Sequence, residues 1–156
     1  MTHHQRINIQ TSAPAAYQAV FPLQKYVNSS SIDKELLALV DIRASQINNC
    51  AWCLDMHVAQ AREAGSSQRR IDLVAAWQEA GDLFSEREQA ALAFTEQVTL
   101  VSDGGVSDDV WQRLRQSFSE QESIDLLMAI AAINVWNRMN VTARTALPGE
   151  ERDGRA

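Results

Sequence analysis

Apolar residues recur at steps of three and four along nearly the whole chain, and no run alternates apolar with polar between turn signals. That period predicts helices throughout. Ser12 followed by Pro14 reads as a helix start with proline in its first turn. The segment from Ala13 to about Asn28 then meets Pro22, where a kink or break is expected. Ser29-Ser30-Ser31 reads as linker and cap before a helix from about Ile32 to Asn48, whose stripe is Leu36, Leu39, Val40, Ala44 and Ile47. Asn48-Asn49 ends it, because Asn tolerates the left-handed backbone of a helix terminus. The next helix starts near Cys50 and stops at Gly65, and another runs from about Ser67 to Glu79, before Gly81. Ser85-Glu86-Arg87-Glu88 and Ser119-Glu120-Gln121-Glu122 are capping boxes, opening helices to about Val101 and about Ala143. Between them, Asp103-Gly104-Gly105 turns the chain and Ser107 caps a helix to about Phe118. The last helix carries the run Leu126 to Ile133, apolar almost all round, so it needs cover on every side as a core spine or a subunit contact.

The fold class is therefore all-α: a single-domain bundle of about six to eight helices over residues 1–147, with 148–156 reading as a flexible tail. Trp77, Trp111 and Trp136 fall on apolar faces and read as core or interface anchors. Asn134 and Asn137 sit within an apolar helix and need hydrogen-bond partners wherever they are buried.

Composition narrows the function. A chain of 156 residues with 46% hydrophobic side chains builds one core without disulfide staples. A net charge of −6 argues against nucleic acid, whose phosphates call for clustered Lys and Arg. The longest apolar run falls well short of the roughly 20 residues that span a bilayer, and no signal-peptide core follows Met1. A cytoplasmic location is expected, and there a close cysteine pair points to redox chemistry or metal binding more than to a structural bridge. No bound cofactor is called for.

The chain's two cysteines are Cys50 and Cys53, and His57 follows one helical turn later. Steps of three and four place all three on one helical face. Neighbouring thiols at that spacing have α-carbons about 5 Å apart, inside the range a disulfide tolerates. Cys50 belongs at the helix start, where free N–H groups favour a thiolate. That end supplies about 0.3–1 kcal/mol. Lowering a thiol pKa by about two units takes roughly 2.7 kcal/mol. A partner charge must make up the difference, and His57 is the nearest in sequence. This predicts Cys53 as the activated sulfur and Cys50 as the resolving and more exposed one. Two other readings stay open: a pair of unreactive core cysteines, and half of a zinc site. Zinc wants four ligands, and the other histidines are His3 and His4, near the terminus. No metal is expected.

The stretch Asn48-Asn49-Cys50-Ala51-Trp52-Cys53-Leu54-Asp55-Met56-His57, with the flanks Ile42-Arg43-Ala44-Ser45-Gln46-Ile47, closely resembles the core of the alkylhydroperoxidase D-like branch of the carboxymuconolactone decarboxylase family. Ala76-Trp77-Gln78-Glu79, the segment Ser85 to Glu96, and Ala132-Ile133-Asn134-Val135-Trp136-Asn137-Arg138 extend the likeness from about Arg6 to Thr145. The resemblance implies an all-α fold assembled as a homotrimer or homohexamer, and a CxxC-dependent peroxidase or thiol–disulfide activity on a hydroperoxide substrate. It implies that Cys53 meets the peroxide, Cys50 resolves it and His57 joins a proton relay. It implies reduction by a dihydrolipoyl-bearing protein or other thiol reductant, with a peroxiredoxin as a further partner.

This chain departs from the pattern twice. The family's relay glutamate, twelve residues before the first cysteine, is here Ala38, and a histidine some relatives carry just before the second cysteine is here Trp52. Glu35 and Asp41, one turn either side of Ala38, are candidate replacements, each with a second reading as a solvated surface charge. Glu96, on a mostly apolar helix, is a third candidate. The rivals to a thiol oxidoreductase are a decarboxylase-like enzyme acting on a lactone, against which the cysteine pair counts, and a non-catalytic scaffold or metal-binding oligomer of the same fold.

Overall fold

The helical period is matched by helices and turns alone across residues 4–148, which the computed structural model describes. In order they are α1 (Ile9–Ser12), α2 (Pro14–Gln18), α3 (Phe21–Asn28), α4 (Lys34–Ile47), α5 (Ala51–Glu63), α6 (Gln68–Leu73), α7 (Glu86–Thr99), α8 (Asp108–Ser117) and α9 (Glu120–Ala143). Two 3-10 turns, Val74–Glu79 and Gly81–Leu83, join α6 to α7. The tail expected from residue 148 falls outside the described residues from Gly149 onward.

Side-chain caps set most of the helix starts. Ser85 with Glu88 and Ser119 with Glu122 form the two expected capping boxes, and Ser107 accepts from the Val110 amide. At α4 the cap is Asp33, whose carboxylate takes the Glu35 and Leu36 amides, rather than the serine run before it. Those serines stand too far back, because Ile32 between them and Asp33 is drawn into the core. The kinked segment expected from Ala13 to about Asn28 divides into α2 and α3, breaking just ahead of Pro22, which sits in the opening turn of α3; α1, capped by Asn8, precedes it. The helix expected over Ser67 to Glu79 changes to 3-10 geometry at Val74, with Ala76 off helical values at φ −120° and ψ 30°. This tighter stretch carries Trp77 inward, where its indole N–H donates to Glu96 at 2.8 Å.

Helix α4 is the central element. One side packs Leu36 and Val40 with Ala91, Phe94, Leu114, Leu126 and Ile130 of α7, α8 and α9. Another packs Leu39 and Ile42 with Ala61, Ile71, Val74, Phe84 and Leu92. Its buried surface is therefore wider than a single amphipathic stripe. Helix α9 behaves differently. Leu126, Ala129, Ile130, Ala132 and Ile133 are buried, but Ile124, Leu127 and Val135 stay exposed. Trp111 is also exposed, Trp136 is half-buried and Trp77 is buried. Among the described residues no helix is long and apolar enough to cross a membrane.

The buried amides of α9 find their partners within the chain. Asn48, at the end of α4, donates through Nδ2 to Asn134 Oδ1 at 3.0 Å and to Asn137 Oδ1 at 2.9 Å, using both of its amide protons. Asn137 donates to Ser45 Oγ at 3.0 Å, and Asn134 to Thr99 Oγ1 at 3.1 Å. This network ties the α4–α5 turn to α9. Asn137 has no exposed surface, so removing it strands a donor on Asn48. We expect Asn137→Ala to cost about 2–3 kcal/mol, read as a lower urea midpoint with an unchanged denaturant slope.

Candidate active site

Asn49, at φ 55°, takes the left-handed conformation that turns the chain out of α4. The Cys50 amide then donates back to the Ser45 carbonyl at 3.0 Å. Cys50 becomes the N-cap of α5, its Sγ accepting the Cys53 amide at 3.3 Å. The two α-carbons are 5.3 Å apart and the sulfurs are bridged as a disulfide. Both cysteines are buried, at 1% and 0% exposure, among Ala44 and Ile133 with Trp52 and Trp136 alongside. Cys50 is thus not the exposed member of the pair: capping α5 turns its sulfur inward.

His57 follows one turn after Cys53 and is also buried. Its Nδ1 faces two oxygens, Gln60 Oε1 at 2.8 Å and Asp41 Oδ2 at 3.4 Å. Two acceptors on one nitrogen assign the proton of the neutral ring to Nδ1. Nε2 is then the basic nitrogen, and it is buried without a hydrogen-bond partner. A buried imidazole with a free lone pair is poised to take a proton from a neighbouring acid.

Of the three candidate carboxylates, the structure brings only Asp41 to this histidine. Burial pushes its pKa up to about 6, with the His57 charge pulling the other way. Its side chain is 17% exposed, which sets aside the solvated-surface reading. Glu35 is occupied elsewhere, accepting from Ser66 Oγ at 2.6 Å and pairing with Arg70. Glu96 accepts from Arg43 Nε and Trp77 Nε1, both at 2.8 Å, in a separate cleft. Ala38, in the place of the family's glutamate, lines the same groove as Asp41 one turn away.

That groove encloses about 1050 Å³ and opens to solvent. Asp41, His57 and Gln60 line one part of it, and Tyr17, Phe21 and Trp136 form an aromatic wall. Asn140 lines it too, with Nδ2 3.5 Å from Cys53 Sγ. The sulfurs thus lie just behind the groove surface. Sequence reasoning missed Gln60 and Asn140. Gln60 carried a signal, since it sits at the i+3 position from His57 on one helix. Asn140, 87 positions from Cys53, carried none. His4 is exposed and His3 lies outside the described residues, among which no group of three or more His, Cys, Asp or Glu is arranged to hold a metal ion.

Residues 14–97 match the carboxymuconolactone decarboxylase family. The chain belongs to that family. This family member is 37% identical over 137 residues to the uncharacterised protein YdfG of Bacillus subtilis (strain 168), spanning 88% of this chain and 92% of YdfG. Its fold superposes with a TM-score of 0.90 on ATU0492 of Agrobacterium tumefaciens, 39% identical, covering 94% of this chain and 100% of that one. ATU0492 is described as a protein of unknown function provisionally placed in antioxidant defence as AhpD. A peroxidase-related protein from Ralstonia eutropha JMP134, described as an alkylhydroperoxidase AhpD core, shares the fold at a TM-score of 0.78 and 22% identity, over 90% of this chain and 75% of that one.

Holding Asp41 ionised out of water has a cost in stability. Its folded pKa lies above the unfolded value, so between about pH 4 and pH 6 the native state keeps a proton that the unfolded chain has released. The stability from this group is therefore whole below about pH 4 and is lost as pH rises through about 6. Asp41→Asn should stabilise the fold by about 3 kcal/mol at pH 7 and hardly at all at pH 4. Urea unfolding at both pH values checks this. An equal gain at the two would show that the carboxylate is not strained by burial.

Proposed function

We propose that this protein is a thiol-dependent peroxidase that reduces hydroperoxides through Cys53, with Cys50 resolving and His57 moving protons under Asp41. The observation that carries this reading is the bridged cysteine pair beside a buried imidazole whose Nδ1 faces a carboxylate. In the reduced protein His57 Nε2 takes the Cys53 proton. The thiolate attacks the outer oxygen of the hydroperoxide, the O–O bond breaks, and the alkoxide leaves as the alcohol with the proton from His57. Cys53 is now a sulfenic acid. Cys50, its thiolate favoured at the α5 N-terminus, attacks that sulfur, and hydroxide leaves as water with the proton the Cys50 thiol gives up as the disulfide forms. A dihydrolipoyl-bearing protein or another dithiol then returns both sulfurs to thiols and is itself oxidised. A peroxiredoxin is a further candidate partner for the reduced pair. The scaffold alternative drew its support from Ala38, and Asp41 supplies the carboxylate that Ala38 lacks.

Dihydrolipoamide-driven consumption of an organic hydroperoxide tests the reading. We expect turnover that disappears in Cys53→Ser and falls about a hundredfold in His57→Gln. Wild-type protein that cycles between dithiol and disulfide but leaves peroxide untouched would restrict the activity to thiol–disulfide exchange. Because Asp41 titrates near pH 6, kcat/KM should rise through that pH, and this limb should be missing from the residual activity of Asp41→Asn.

Assembly belongs to the same reading. Ile124, Leu127 and Val135 leave an apolar stripe exposed on α9, which suits a homotrimer or homohexamer contact. Sedimentation should give an oligomer for the native chain and smaller species for Leu127→Glu. An unchanged mass in the variant would place the contact elsewhere.

A further inference from the structure

The α5 N-terminus serves Cys50, not Cys53. The N-cap hydrogen bond, from the Cys53 amide at 3.3 Å, ends on Cys50 Sγ. Cys53 is fully buried, so water cannot solvate a charge on its sulfur, and an unsolvated thiolate needs a donor from the protein. His57 offers a charge. The hydrogen bond comes from another helix.

Asn140 lies in the last turn of α9 and places Nδ2 3.5 Å from Cys53 Sγ. Its other amide end is held as well. Oδ1 accepts from Thr145 Oγ1 at 2.9 Å, and the Thr145 amide donates to the Asn140 carbonyl at 3.0 Å. The chain doubles back there because Arg144 takes a left-handed conformation, φ 52° and ψ 54°, at the end of α9. Chemistry fixes which end of the amide faces the sulfur. A disulfide or thiolate sulfur has lone pairs and no proton, so the NH2 end must point at it, while a hydroxyl rotates to satisfy the oxygen end.

We propose that Asn140 is a catalytic residue whose amide donates to Cys53 Sγ and holds the charge on that sulfur in the reduced enzyme, with Thr145 as the positioning residue that orients it. This rests on the reading of Cys53 as the sulfur that attacks peroxide. The charged and titratable groups around the site are His57 on α5 and Asp41 on α4, with Lys34 and Glu63 also lining the groove and Arg138 of α9 held on the Asn134 oxygen; the α9 group that reaches Cys53 is the neutral Asn140 amide. A donor from α9 therefore adds to the imidazolium without competing for its carboxylate.

The test uses full-length reduced protein carrying Cys50→Ser, so that Cys53 is the sole thiol. Its pKa is read from thiolate absorbance against pH, alone and with Asn140→Leu, Asn140→Asp or Thr145→Val added. Asn140→Leu removes the donor at similar size and should raise the Cys53 pKa by about one unit. Asn140→Asp sets a like charge beside the sulfur and should raise it further. Thr145→Val keeps the shape, frees the amide to turn and should raise the pKa by less. With Cys50 restored, Asn140→Leu should slow hydroperoxide consumption about tenfold near neutral pH and recover as pH rises. An unchanged Cys53 pKa in folded Asn140→Leu overturns the proposal. Should the Asn140 variants fail to fold, an unchanged pKa in Thr145→Val does the same. If the variants shift the pKa as expected while the native enzyme ignores hydroperoxides, the donor role stands and the peroxidase reading falls.

Discussion

The site depends on how one turn is held. Between α4 and α5 the chain must reverse, cap a new helix with a sulfur, and do so against the middle of α9. Asn49 supplies the left-handed backbone, but a conformational preference alone does not fix a turn in space. The fixing comes from amides: Asn48 spends both protons on Asn134 and Asn137, and Asn137 reaches back to Ser45. Each of these groups would be expensive to bury alone, and joined they admit a single register of α4 against α9. That register sets Cys50 at the helix start and brings Cys53 within reach of Asn140. The pair's chemistry is thus specified by a polar network buried beside an apolar core.

The carboxylate at the histidine shows that the contact with an imidazole can be made from more than one position on α4. The family pattern puts a glutamate where this chain has Ala38. Asp41 lies one turn further along the same face of α4, and its oxygen stands 3.4 Å from Nδ1. Gln60 takes the same nitrogen at 2.8 Å, so the imidazole is oriented whether or not Asp41 is charged. Tautomer control and charge control are therefore divided between two side chains. The amide oxygen faces Nδ1 directly, and the carboxylate adds its field once ionised.

Much of this was legible in the sequence, because the decisive signals were local. The helices α4, α5, α7, α8 and α9 follow from periodicity and from caps three residues apart, as in Ser85–Glu88 and Ser119–Glu122. The Cys50–Cys53–His57 stripe follows from helical spacing. What was not legible is long-range. Asp41 and Glu35 flank Ala38 at equal sequence distance, and only the packing of α4 shows that one faces His57 while the other pairs with Arg70. Glu96 looked promising on an apolar helix, but Arg43 and Trp77 both bond its Oε1 in a separate cleft. The N-terminal segment divides into α2 and α3, and these short helices lean on α9 through Tyr17 and Gln24 against Trp136, tertiary contacts that no local propensity encodes.

Burial of both sulfurs raises a last point about how a CxxC pair divides its labour. Each thiolate, once formed in a dry cluster, needs stabilisation, and a single helix start serves only one of them. Here the α5 N-cap hydrogen bond ends on Cys50, which suits the resolving role proposed for that sulfur. Cys53 follows three positions on, and its own amide is spent on Cys50 Sγ. On the proposed reading, charge on that sulfur is favoured by side chains from two directions: His57 along α5 and Asn140 across from α9. An exposed thiol could rely on water for the same service. A buried one cannot, so its ionisation depends on contacts that link α4, α5 and α9, and the fold rather than the motif determines how reactive the second cysteine becomes.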